Sequence, residues 1–117
     1  MSLRELLSRA TDSVVYLETY YPHLPPEDHC SPGDVLREIR ERVQKALMLK
    51  TTDAQCHWLR LCDAELATAE AASESDDGKA VERSLREIRD YLDKARKNFQ
   101  AVPDFLIIDQ TTIRPQN

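Results

Sequence analysis

Residues 79–102 read KAVERSLREIRDYLDKARKNFQAV. Within this stretch Val81, Leu85, Ile88, Leu92, Ala95, Phe99 and Val102 follow one another at alternating steps of four and three residues. Such a repeat averages 3.5 residues, so on a helix all of these side chains fall along one narrow seam. A strand does not fit, because a period of two would put charged residues on both faces. The spacing predicts a long amphipathic helix over 79–102 that must bury its stripe against other helices. The pairs Glu82–Arg86, Asp90–Lys94 and Asp93–Lys97 sit four apart on its outer faces, each adding about 0.2–0.5 kcal/mol of helix support. Pro103 marks the end of this helix.

Three further stripes precede it. Ser2-Leu3-Arg4-Glu5 has the S-x-x-E form of a capping box, in which a side-chain oxygen and a carboxylate satisfy two helix-start N–H groups reciprocally. Leu3, Leu7, Ala10, Val14, Leu17 and Tyr21 then continue at steps of four and three, with Leu6 and Val15 widening the stripe. Pro22 limits this first helix by pushing the residue before it out of helical conformation. Ser31-Pro32 reads as an N-cap followed by proline at the first helical position, and Asp34 puts negative charge at the positive helix end. From there Leu36, Ile39, Val43 and Ala46 form a second seam, flanked by Val35, Leu47 and Met48.

Extending that seam past Ala46 would turn Lys50, Asp53, His57 and Arg60 inward, all of them polar. The apolar positions are instead Leu59, Cys62, Leu66 and Ala69, so the phase jumps and the chain must turn near Thr51. Thr52-Asp53-Ala54-Gln55 supplies a second capping box, of the T-x-x-Q kind. The third helix has a bulky first half, with Trp58, Leu59, Leu61 and Leu66, and an alanine-rich second half that lets a partner helix approach closely. Ser73 to Gly78 forms a polar connection in which Ser75 or Asp77 caps the last helix.

Together these predict an all-α protein, an antiparallel four-helix bundle with helices near 3–21, 34–50, 53–72 and 79–102. One domain covers 1–103 and a C-terminal tail covers 104–117. The chain of 117 residues has only two glycines, Gly33 and Gly78, and both fall where connections are expected. The first connection, 22–33, is long and proline-rich, and its three close prolines predict extended rather than helical backbone. The tail carries Phe105-Leu106-Ile107-Ile108, an apolar run that would promote aggregation if left exposed. It is therefore expected to dock on the bundle end, on a second copy or on another protein.

The formal net charge of −5 at pH 7 argues against nucleic acid as a partner, since phosphate recognition needs clustered Lys and Arg. Lys79, Arg83, Arg86, Lys94 and Lys97 make a basic stripe on the last helix, but Asp90 and Asp93 interrupt it and no aromatics stand ready to stack bases. Residues 51–78 hold one Arg against seven Asp and Glu, net −6, whereas residues 79–117 hold eight basic residues against six acidic, net +2. That asymmetry is expected to make the third and fourth helices antiparallel neighbours. Arg4, Glu5, Arg9, Asp12 and Glu18 interrupt the first 20 residues, so no secretory signal is expected, and no apolar run is long enough to span a bilayer. Three cysteines without a C-x-x-C pair fit a reducing, cytoplasmic setting.

Catalytic constellations are not evident. No Glu-x-x-His pair exists and the seams carry no carboxylate, so a di-metal bundle site is not expected. Glycine-rich phosphate loops are lacking, and no cofactor is expected. His23, Glu27, Asp28, His29 and Cys30 bring metal-ligand types together in the first loop, with His23, His29 and Cys30 the candidates, but the prolines around them and the adjacency of His29 and Cys30 disfavour convergence on one ion. We expect them to be solvated, with a metal- or small-molecule-binding loop as the alternative function. Asp53 and His57 read as a surface pair and Cys62 as an inert core thiol. Cys56 and Cys62 lie about 240° apart around a helix and cannot bridge. Tyr16, Tyr20 and Tyr21 cluster beside the prolines, where they either rigidify the loop or, as Tyr is a hot-spot residue, form an interaction patch. The function expected from the chain is thus non-enzymatic protein interaction or regulation, through Phe105, Leu106, Ile107 and Ile108 together with Tyr20 and Tyr21, with a protein partner or self-association and neither nucleic acid nor membrane.

Overall fold

In a computed structural model, the backbone of residues 1–49 and 51–100 and the side chains of all of these except 98–100 are described. They form four helices, α1 (Leu3–Tyr20), α2 (Pro32–Met48), α3 (Asp53–Glu74) and α4 (Gly78–Gln100), and a single 3-10 turn at Pro26–Asp28. No strand occurs among the described residues.

The helix starts follow from local chemistry. Ser2 Oγ accepts from the Glu5 N–H at 3.1 Å while the Glu5 carboxylate accepts from the Ser2 N–H at 3.1 Å. The same reciprocal pattern joins Ser31 to Asp34 and Thr52 to Gln55. α4 opens with the Asp77 carboxylate accepting from the Ala80 N–H at 3.2 Å, which selects Asp77 over Ser75 as the cap. The cap bonds also hold the Glu5 and Asp34 carboxyls below their usual pKa, with the backbone N–H of Ser2 and Ser31, respectively, as the largest cause.

The end of α3 departs from expectation. It runs to Glu74, two residues further than the alanine-rich segment implied, and is stopped by Asp76 in left-handed conformation, φ 58°. The Asp77 N–H reaches the Ala72 carbonyl at 2.9 Å and the Asp76 N–H reaches that of Ser73 at 3.2 Å, the pair of bonds of a Schellman motif with Asp where Gly is usual. Neither glycine lies in a connection: Gly33 is in the first turn of α2 and Gly78 begins α4. Carboxylate caps and Pro32 set those helix starts, which leaves the glycines inside the first turns.

The four helices run alternately up and down and close a ring, each packing on its sequence neighbour and α4 also on α1. α3 and α4 share the most extensive interface, as expected of neighbours. Their closest polar contacts are not acid–base pairs, however. Glu65 of α3 accepts from the Ser84 hydroxyl of α4 at 2.7 Å, whereas Asp63 and Glu70 turn to α2: Arg40 Nε meets Asp63 at 3.0 Å, Arg40 Nη1 lies 3.6 Å from Glu70, and Gln44 reaches Asp63 at 3.3 Å. Arg89 of α4 pairs with Glu18 of α1 at 2.9 Å.

The predicted seams are the core. Leu7, Ala10, Val14 and Leu17 of α1, Leu36, Ile39, Val43 and Ala46 of α2, Leu59, Cys62, Leu66 and Ala69 of α3, and Val81, Leu85, Ile88, Leu92 and Ala95 of α4 are all buried. The flanking apolar residues divide. Leu6 and Val35 join the core, whereas Val15, Met48 and Leu61 face solvent because they lie beyond the width a neighbouring helix can cover. On α4 the expected Asp90–Lys94 and Asp93–Lys97 pairs each close at 3.1 Å. Lys50, Val102 and the tail 104–117 lie outside the described residues.

Candidate functional site

The bundle has two chemically different ends. At one, α1 ends, the 22–33 connection crosses, α2 begins and α3 turns into α4. The proline segment there is not uniformly extended: Pro25 keeps polyproline-like dihedrals, but Pro26–Asp28 tightens into the 3-10 turn and His29 takes a left-handed conformation, φ 51°. The Tyr16 hydroxyl donates to the Asp28 carboxylate and its ring tilts against Tyr20 at 5.1 Å. That hydrogen bond, with burial adding to it, holds the Tyr16 phenol well above its usual pKa. Tyr21 and Leu24 pack onto the core beside Cys30. Burial and the nearby Asp76, Glu82 and Asp77 carboxylates raise the Tyr21 pKa as well. Tyr16 and Tyr21 thus fasten the loop to the bundle, while Tyr20 stays exposed.

His23 and His29 are exposed and Cys30 is half-buried. Among the described residues no group of three or more His, Cys, Asp or Glu side chains converges as a metal site requires. An open cleft of about 420 Å³ beside Tyr21 is lined by Arg37, Glu70, Glu74 and Asp76 among others. Its mixed charges and wide mouth are ordinary surface between helix ends. Cys62 is fully buried, and burial, with Asp63 and Glu65 nearby, pushes its thiol up to about 12, so it is chemically inert at neutral pH. His57 is exposed and meets Trp58 edge-on at 4.8 Å, so with Asp53 it lies on the surface as expected.

At the other end α2 turns into α3 and α4 finishes. Met48 is 86% exposed there, Leu49 is also exposed, and Met1 sits at the start of α1. Between α3 and α4 lies an aromatic pair that the seam pattern did not reveal. Trp58 stacks with Tyr91 at 6.1 Å between ring centroids, and the Lys94 ammonium stands 4.6 Å over the indole. Leu61, three residues beyond Trp58 on the same outer side, is 37% exposed. Trp58 and Tyr91 are both partly buried against the core. The available signal was that Trp58 and Tyr91 each stand one residue before a seam leucine, positions that flank the core.

Gln55 is the other residue the sequence did not single out. It occupies the seam position one step before Leu59 and is 1% exposed. Its Oε1 accepts from the Thr52 N–H at 3.0 Å, so the amide orientation is fixed and Nε2 is the atom left buried with no partner.

Phe105, Leu106, Ile107 and Ile108 lie outside the described residues. Tyr20 and Tyr21 are at the end of the bundle opposite to the one where α4 finishes at Gln100. Among the described residues no helix is long and apolar enough to cross a membrane. Comparison with family models, with curated proteins and with solved structures finds no match to this chain.

Proposed function

We propose that this chain is a non-enzymatic protein-interaction or regulatory protein of the cytoplasm, and that its partner is another protein. The observation that carries this is the partly exposed aromatic pair Trp58 and Tyr91 with the exposed Leu61, together with the exposed Met48 and Leu49 at the end of α2. Trp and Tyr held rigid by stacking lose little entropy on docking and are the residue types that anchor protein interfaces. Protein is favoured over nucleic acid because three of the basic side chains of α4 are engaged with acids, Arg89 with Glu18, Lys94 with Asp90 and Lys97 with Asp93, and the chain is net acidic. The apolar run Phe105–Ile108 supplies a second contact element. The exposed Tyr20 supplies a minor one at the far end, with Tyr21 supporting it.

The test is partner retention on the immobilised full chain, compared with the variants Leu61→Glu and Met48→Glu. Neither substitution touches the core, so both should keep helicity. A protein retained in fixed proportion by the native chain and lost on both variants supports the proposal; equal retention on all three refutes the assignment of this surface.

A further inference from the structure

We propose that the groove between α1 and α4 binds an acidic amphipathic helix of a partner protein, with carboxylates of that helix on Arg86 and Arg96 and its apolar stripe over Val15. This surface lies on the side of α4 that packs on α1, away from the Trp58–Tyr91 pair on the α3 side. It therefore goes beyond the contact proposed above and does not rest on it.

The groove is open, about 620 Å³ in volume, and its acids and bases are unequally matched. Glu18 of α1 is met by Arg89 at 2.9 Å, while on α4 Asp90 is met by Lys94 and Asp93 by Lys97, each at 3.1 Å. The acids lining the groove are thus neutralised within the bundle. Arg86 and Arg96 line it too, and neither forms an ion pair or hydrogen bond among the described residues. The Glu82–Arg86 pair expected from the four-residue spacing does not close, and Arg86 borders the groove instead. Val15, 42% exposed, is the apolar element of the α1 wall. Because α1 and α4 are antiparallel and Glu18 meets Arg89, Val15 stands about one turn further along α4, between the levels of Arg86 and Arg96.

That arrangement specifies the chemistry of the occupant. A guanidinium offers a planar fork of donors that fits a carboxylate. Arg86 and Arg96 are ten residues apart, about 15 Å along α4 at 1.5 Å per residue. A helix laid along the groove meets both with carboxylates three turns apart and covers Val15 with an apolar side chain midway, the helix-in-groove mode of recognition. A nucleic-acid strand fits poorly. It carries a charge about every 3.4 Å, so phosphates between the two arginines would fall beside Asp90 and Asp93.

Fluorescence anisotropy of a labelled synthetic helical peptide tests this. The peptide is built on alanine and glutamine, with two glutamates three turns apart and a leucine midway. The full chain should bind it saturably. Arg86→Gln/Arg96→Gln should bind about tenfold more weakly, as expected for the loss of two ion pairs at a partly exposed site. Lys45→Gln/Arg60→Gln, which removes the same charge from exposed positions on α2 and α3, should bind like the native chain. Circular dichroism confirms that the variants keep their helices. Equal affinities across all three proteins, equal weakening in both variants, or no saturable binding overturns the groove assignment. Tighter binding of oligothymidylate than of the peptide, lost with the same two arginines, overturns the helical partner in favour of nucleic acid. A concentration-dependent dimer that Arg86→Gln/Arg96→Gln abolishes overturns it in favour of a second copy. Leu61→Glu should leave peptide binding unchanged, so failure here is separable from failure of the surface around Trp58.

Discussion

Leu66 and Leu61 are the same residue type on the same helix, five positions apart, and the structure assigns them opposite fates. Leu66 is fully buried in the α3 seam, whereas Leu61 is more than a third exposed on the outer face. Leu66→Ala removes about three methylene equivalents from the core, roughly 2.4 kcal/mol at 0.8 kcal/mol each. A cavity term is added. Leu66 is fully buried, so the deletion leaves a cavity that the surrounding core fills only in part. The expected loss is about 3–4 kcal/mol, within the 2–5 kcal/mol seen for buried Leu→Ala changes. Leu61→Ala gives up only surface packing, so its cost should be about 0.5–1 kcal/mol. The helix propensities of the two changes are the same, so they cancel in the comparison. Urea unfolding followed by circular dichroism measures both. At roughly 5 °C per kcal/mol for a small domain, the melting temperatures should fall by about 15 °C and less than 5 °C respectively. Losses equal within about 0.5 kcal/mol, the spread expected of surface substitutions, would refute the seam assignment and the bundle with it.

Other consequences are more local. Arg40 bridges α2 to Asp63 and Glu70 on α3 with all three side chains partly exposed, so a double-mutant cycle of Arg40→Ala and Asp63→Ala should give a coupling of about 1 kcal/mol or less that shrinks in high salt. Asp76→Gly should stabilise the chain by about 0.5–1 kcal/mol in a thermal melt, because glycine takes the left-handed stop of α3 without a Cβ penalty; a destabilised variant would mean the carboxylate itself is needed there. Glu5 and Asp34 are held below the ordinary carboxylate range when folded, so their cap bonds add stability that is complete above the unfolded pKa and is lost as pH falls through the lower folded one. Ser2→Ala and Ser31→Ala should flatten this acid limb of the stability profile. Tyr16 and Tyr21 shift the other way, so stability is complete below pH 10 and declines as pH rises above it; a tyrosinate absorbance titration should show Tyr16→Phe removing a late-ionising phenol.

Much of the fold was legible in the sequence because its signals are local. Capping boxes at Ser2 and Thr52 and the Ser31 N-cap before Pro32 depend on residues within one turn, and the seams depend only on helical periodicity. Helix ends were harder. Asp76 stops α3 through a backbone conformation that Asp rarely adopts, and nothing in its neighbours announces it. The limits of each stripe were also hidden, since Val15, Met48 and Leu61 look as apolar as Leu6 or Val35 until a neighbouring helix is in place to cover one group and not the other. The candidate surface was the least legible part. Trp58 and Tyr91 meet only because α3 and α4 run antiparallel side by side, a relation between residues 33 positions apart that no short motif encodes. Gln55 interrupts the apolar seam, so the α3 seam read as beginning at Leu59, whereas the buried turn of the helix starts one step earlier.

The proposed role places the chain's contact with its partner at the end where α4 finishes, aided by the segment beyond Pro103. Removal of residues 104–117 addresses this most directly, with oligomeric state, unfolding and partner retention measured on the same preparation. The account predicts a bundle that keeps its four helices together with markedly weaker partner retention. A bundle with unchanged retention would contradict it.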